Sequence, residues 1–170
     1  MRKGVIFFIV LSVLGILGAG LCFADDPAVG YWISVDDKTG KTTAGWELYL
    51  ANGTLQGRII SLADYPADIK AALCKASYSG FPVAGKVNEM PVVGTPWIYG
   101  LKMTATGRWT QGSIIDPESG NLYKCKITYH AAGSGKYTAD TLEMRGEIGL
   151  GIGRSQFWRK STRQEASGLR

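Results

Sequence analysis

Histidine occurs once in the chain, at His130, and cysteine three times, at Cys22, Cys74 and Cys125. A metal site would need ligating partners that this inventory does not supply, so no metal and no cofactor is implied. Charge is thin as well, at 19% of residues. The basic residues form no clustered stripe, which argues against a nucleic-acid partner. No serine with a neighbouring base, no reactive lone thiol and no convergent carboxylate pair emerges from the spacing, so no residue is assigned a catalytic role. Gly149-Leu150-Gly151-Ile152-Gly153 lies between two strand-like runs and opens no helix, so it lacks the helix N-terminus that holds a phosphate and reads as a bend. Asp116 and Glu118 belong to an Asp-Pro-x-Ser-Gly turn, in which Asp bonds the backbone and Pro and Gly set dihedrals. His130 falls on an outward face near a strand end, the place of a solvated side chain.

Long apolar runs are missing except at the start. Met1-Arg2-Lys3 is a short basic region, Gly4 to Leu21 carries no charge, and Cys22-Phe23-Ala24 precedes the acidic pair Asp25-Asp26. These are the parts of a secretory signal, and cleavage is expected after Ala24. A retained anchor is the rival, since about 18 apolar residues can just span a bilayer, but the small-residue exit and the acidic residues favour cleavage. Acylation at Cys22 wants small residues before it and finds Leu21. Residues 1–24 are therefore read as a signal peptide and the mature chain as exported, with no stable membrane span once the leader is removed. Residues 25–160 form one domain, and 161–170 a flexible basic tail. Export removes the reducing environment, so a disulfide between Cys74 and Cys125 is expected.

What is plentiful is glycine, with 23 residues spread between short alternating runs, the mark of many strands and turns. The clearest unit is Trp46 to Leu62, turning at Asn52-Gly53. Asn-Gly is the strongest two-residue hairpin signal because both positions need positive φ. With that turn Leu48 faces Gly57 and Trp46 faces Ile59, while Glu47 meets Arg58 and Tyr49 meets Gln56. One register thus yields an apolar face and an opposite-charge pair together. A second hairpin runs Arg108–Ile115 and Leu122–His130, with Tyr123, Cys125, Ile127 and Tyr129 inward. A third pairs Leu142–Ile148 with Ile152–Arg159, with Leu142, Met144 and Ile148 inward. Strands near Val29–Val35 and Trp97–Thr104 complete the set.

Asp64 to Leu73 reads differently, with a capping Asp64, an early Pro66 and an acidic first turn, and predicts one short helix. Ser77 to Pro96 is too long for an ordinary connection and is expected as a lid or as partly stranded. About eight strands in sequential hairpins with one short helix predict an all-β, antiparallel up-and-down β-barrel. Such a barrel removes exposed sheet edges and can enclose one small ligand. A two-sheet sandwich is the structural rival.

In a closed barrel the first and last strands are neighbours. A guanidinium from Arg154 or Arg159 could then cover the Trp32 indole and close one end. Trp46, Trp109, Tyr123 and Tyr129 form an aromatic interior set and, with Glu47 and Arg58, are the candidate pocket residues. The Glu47–Arg58 pair also has a purely structural reading.

Gly30-Tyr31-Trp32 at the first strand and the late arginines resemble the arrangement of the lipocalin and calycin group. Leu55-Gln56-Gly57-Arg58-Ile59-Ile60-Ser61-Leu62, Gly107-Arg108-Trp109 with Gly112 to Gly120 and Tyr123 to Lys126, and Arg145-Gly146 with Gly153 to Arg159 stand in one order along the chain. With these, over roughly residues 27–160, the chain resembles the bacterial exported family called Domain of Unknown Function 2147. The family's Asn-Pro-Asp-rich segment is replaced here by Cys74 to Gly80. The resemblance implies a lipocalin-like barrel in the cell envelope and brings no known activity. The expectation is a periplasmic binding module for a small apolar or amphipathic molecule. Its rivals are an envelope interaction protein with a filled core and, third, a hydrolytic or transfer enzyme. Fold alone does not decide among them.

Overall fold

The structure is a computed structural model and describes residues 26–169. The expected signal peptide lies outside the described residues. Eight strands follow one another around a closed barrel: β1 (Gly30–Val35), β2 (Thr42–Ala51), β3 (Thr54–Leu62), β4 (Pro96–Ala105), β5 (Arg108–Ile115), β6 (Leu122–His130), β7 (Thr141–Gly149) and β8 (Ile152–Ser161). Each is antiparallel to the next, and β8 returns to β1 through Trp32↔Lys160 and Ile33↔Arg159. Closure excludes the sandwich.

The β2–β3 hairpin has the register that the sequence predicts, with Glu47↔Arg58, Leu48↔Gly57 and Tyr49↔Gln56. Asn52 and Gly53 both take positive φ, 51° and 72°, as a two-residue turn matched to strand twist requires. Gly57 has a packing reason too. A Cβ there would lie 2.6 Å from Leu48 Cδ2.

The predicted helix over Asp64–Leu73 does not form. Asp64 sits at φ 66°, outside the extended conformation of a capping residue. The backbone groups that a helix would use internally bond across to a later segment: Val92 N–H donates to Ile69 O, and Ala71 N–H to Met90 O. The long connection is an outer wrap with one 3₁₀ turn at Val87–Glu89. It passes the barrel mouth and then covers β4, where Phe81 packs on Trp97 and Tyr99 and Trp97 Nε1 donates to Val92 O.

The short helix lies in the C-terminal segment, which is docked rather than flexible. α1 (Arg163–Ser167) is capped by Thr162, whose Oγ1 accepts from Glu165 N. Ile33, Gly45 and Ser61 form one row across the outside of β1, β2 and β3, and the helix lies against these three strands. Ser61 Oγ donates to Ala166 O. A Cβ on Gly45 would fall 1.7 Å from that carbonyl, so only glycine lets the helix sit there.

The expected disulfide is also absent. Cys74 and Cys125 are buried free thiols. Cys74 lies against Gly120, at the turn that opens β6, whereas Cys125 stands five residues further along. That is on the order of 15 Å of extended chain, well beyond the ~7 Å between Cα atoms that a disulfide spans. Burial pushes the Cys125 thiol far above its ordinary pKa, so it is inert as a nucleophile.

Candidate functional site

The two ends of the barrel differ. At one end the interior is plugged. Trp32 is fully buried, its Nε1 donates to Ala28 O, and its ring meets Tyr129 edge-on at 6.3 Å. Beside it the buried Asp26 carboxylate accepts from Ala28 N (3.0 Å), Trp109 Nε1 (3.0 Å) and Gly107 N (2.8 Å). One side chain thereby ties the entering chain, the β4–β5 turn and β5 together. Lys160 completes the closure, with Nζ 4.4 Å from the centre of the Trp32 ring and donating to Pro27 O and Val29 O. Burial lowers the Lys160 pKa, while Asp140 and Asp26 oppose that shift.

At the other end the barrel is open. Trp46 forms the floor, and Trp158 lies beneath it, stacked at 4.7 Å with 23° between the planes. Above Trp46 the mouth divides into two lobes that share Trp46, Asp116, Pro117, Arg154 and Gln156. The smaller, about 560 Å³, runs along Ile114, Tyr123, Met144, Ile148 and Ile152 and is mostly apolar. The larger, about 880 Å³, lies under the wrap and mixes Ile59, Leu62 and Val92 with Asp36, Lys41, Thr43 and Lys70. A molecule with one oily and one polar part matches this division.

A family model described as an uncharacterized protein conserved in bacteria, DUF2147, matches residues 30–160. The chain belongs to the DUF2147 family. A solved structure of protein HP1028 from Helicobacter pylori, described as belonging to the lipocalin family, is similar at TM-score 0.63 and 16% identity. The alignment covers 81% of this chain and 85% of that one. Among curated proteins none matches.

The DUF2147 barrel separates the residues that the sequence groups together. Trp46 and Tyr123 line the mouth, whereas Trp109 and Tyr129 belong to the plugged end. Glu47 and Arg58 line neither lobe. They form an ion pair at 2.6 Å in a network with two tyrosines, where Arg58 covers the Tyr49 ring and Tyr31 Oη donates to Glu47. This is the structural reading of the pair.

Neither expected arginine covers Trp32. Arg159 is on the opposite face of β8 from Lys160 and pairs with Glu165 of α1. Arg154 is on the correct face but six residues away, roughly 20 Å along the strand, and it pairs with Asp37 at the mouth at 2.7 Å. Lys160 stands directly opposite Trp32 in the β1–β8 register. Lys160→Ala is therefore expected to cost about 1 kcal/mol in urea denaturation, as a partly screened cation–π contact. Arg154→Ala and Arg159→Ala should each cost less than about 0.5 kcal/mol, as exposed ion pairs. An Arg159 effect larger than that of Lys160 would contradict this assignment.

Gln156, Met144, Ile148 and Ile152 are mouth residues that sequence reasoning did not assign to the site. Alternation outward from Trp158 along β8 passes through Gln156, Arg154 and Ile152, so the signal was present in the strand itself. Ile148 keeps the inward parity expected of it, but it sits so near the rim that it is 71% exposed.

Proposed function

We propose that this DUF2147 barrel is an exported binding module that takes up a small amphipathic molecule at its open mouth. The observation that carries the reading is the bilobed cavity over the Trp46 floor, apolar along β5–β8 and mixed apolar and polar under the wrap. The leader-like N-terminus supports an envelope location. The lipocalin description of the Helicobacter protein supports ligand binding as a use of such a barrel.

Gly146 offers a direct test. It lines the apolar lobe, has no left-handed φ, and a Cβ there meets nothing closer than 3.6 Å, at Tyr123. Gly146→Phe should fill the lobe and leave the fold intact. Native mass spectrometry of the protein isolated from its own envelope should show a reproducible small-molecule adduct on a chain that begins at Asp25. Gly146→Phe should lower that occupancy about tenfold, the loss of one well-buried apolar contact.

A second reading has its own support, because the lower half of the barrel is filled by Trp32, Trp109 and Trp158. An interaction protein needs no cavity. Adduct-free protein, unchanged by Gly146→Phe, would favour it.

A further inference from the structure

Three large apolar side chains are exposed together on the β7–β8 turn: Ile148 at 71%, Leu150 at 102% and Ile152 at 62%. From Ile148 to Gly153 the chain carries no charge and no polar side chain. Leu150 holds φ 49° between Gly149 at 129° and Gly151 at 77°. Leucine is uncommon in that left-handed region, where Asn or Gly would make the turn without the steric cost. Nothing in the barrel offsets the cost, since the Leu150 side chain packs on no part of the fold. The turn is nevertheless held. Arg145 Nη2 donates to Gly151 O at 2.9 Å, and its Nε donates to Glu147 at 2.9 Å. The result is a fixed, projecting, aliphatic tip beside the open mouth.

Its size and charge select the partner. A stable protein interface, including one with a second copy of this chain, needs about 800 Å² per partner. Three aliphatic side chains on a convex tip fall well short of that, and the tip lacks the Trp, Tyr and Arg anchors of protein hot spots. A bilayer imposes no such requirement of area or shape. On the outer face of β6 and β7, directly below the tip, Lys124, Lys126 and Arg145 stand against two carboxylates, Glu147, which accepts from both Lys126 and Arg145, and Glu143, which lies further down and pairs with His130. The local surplus is positive, complementary to anionic headgroups. Asp116 and Glu118 belong to the neighbouring β5–β6 turn, where Asp116 accepts from Glu118 N and Ser119 Oγ.

We propose that the Ile148–Ile152 tip seats the barrel mouth on an anionic phospholipid surface, with Leu150 leading into the acyl boundary. Ile148 and Ile152 also line the apolar lobe, whereas Leu150 lines neither lobe and carries the test.

An environment-sensitive fluorophore on Leu150→Cys in the full chain tests it, with Ser134→Cys in the β6–β7 loop at the plugged end as control. Cys74 and Cys125 are buried and stay in place, and both labelled variants also carry Cys22→Ser. Vesicles of phosphatidylcholine containing phosphatidylglycerol should shift the emission at position 150 to the blue and leave position 134 unchanged. Leu150→Asp should lower the vesicle-dependent shift of a probe at position 152 about tenfold, and salt at about 0.5 M should weaken it. An unchanged spectrum at position 150, or equal responses at 150 and 134, would overturn the proposal. Equal responses to pure phosphatidylcholine would overturn its anionic part. Gly146→Phe should leave the shift intact while it lowers ligand occupancy, so the two readings fail separately.

Discussion

Asp26→Ala should lower the stability of the barrel by about 3–5 kcal/mol, because three N–H groups lose one buried acceptor. The carboxylate is buried and accepts from three N–H groups drawn from two distant parts of the sequence. Alanine leaves all three donors without it, and a buried donor left unsatisfied costs about 1–3 kcal/mol. Trp109 Nε1 suffers most, because the indole is wholly buried. Asp26→Asn separates charge from shape. Its remaining oxygen can keep Ala28 and Trp109, while its amide nitrogen faces the Gly107 donor, so roughly half of the loss is expected. Denaturant midpoints read at constant m-value measure both variants. An Asp26→Ala variant within about 1 kcal/mol of the parent would mean that water replaces the carboxylate and that the plug is held by Trp32 and Lys160 alone.

Expectation and structure agree where a signal is local and doubly determined. The β2–β3 hairpin is legible because Asn52-Gly53 fixes the turn while the same register pairs Glu47 with Arg58 and sets the apolar face. The eight-strand barrel follows from repeated hairpins of that kind. Asp64–Leu73 carries local helix signals, but its backbone partners are Met90 and Val92, some twenty residues later, and no local rule weighs them. The tail looks solvated because its charges are visible, whereas its docking depends on Ala166 meeting a glycine at position 45. A five-residue helix with one buried side chain shows no periodicity. The Trp32 cover failed for a related reason. The chemistry was right and a cation does lie over the indole, but only the β1–β8 register, joining the two ends of the domain, selects Lys160 over Arg159. The lining of the mouth is only partly legible: Trp46 and Tyr123 reach it, whereas Trp109 and Tyr129 do not. The sequence contains five tryptophans, and all five are buried. Which of them fill the barrel and which one floors a cavity depends on how the strands stagger at closure.

Trp158→Ala is the substitution expected to change stability and capacity together. Trp158 is fully buried under the Trp46 floor, and its Nε1 donates to Gln156 Oε1 at 3.2 Å. Removing the indole should cost about 3–5 kcal/mol, from lost burial plus the void left behind. That void lies directly below the mouth, between Trp46 and the plugged end. With its stacking partner gone, Trp46 can tilt downward and join the void to the apolar lobe. A deeper cavity then accepts a longer hydrocarbon. Each additional buried methylene contributes about 0.8 kcal/mol, roughly fourfold in affinity. Titration with single-chain amphiphiles of increasing length should therefore show the optimum moving to longer chains in Trp158→Ala. Trp158→Phe, which keeps most of the stack, should shift it less. A variant destabilised as expected but with the same chain-length optimum would place the oily part of the ligand elsewhere, along Ile114 and Ile148 at the rim rather than over the Trp46 floor.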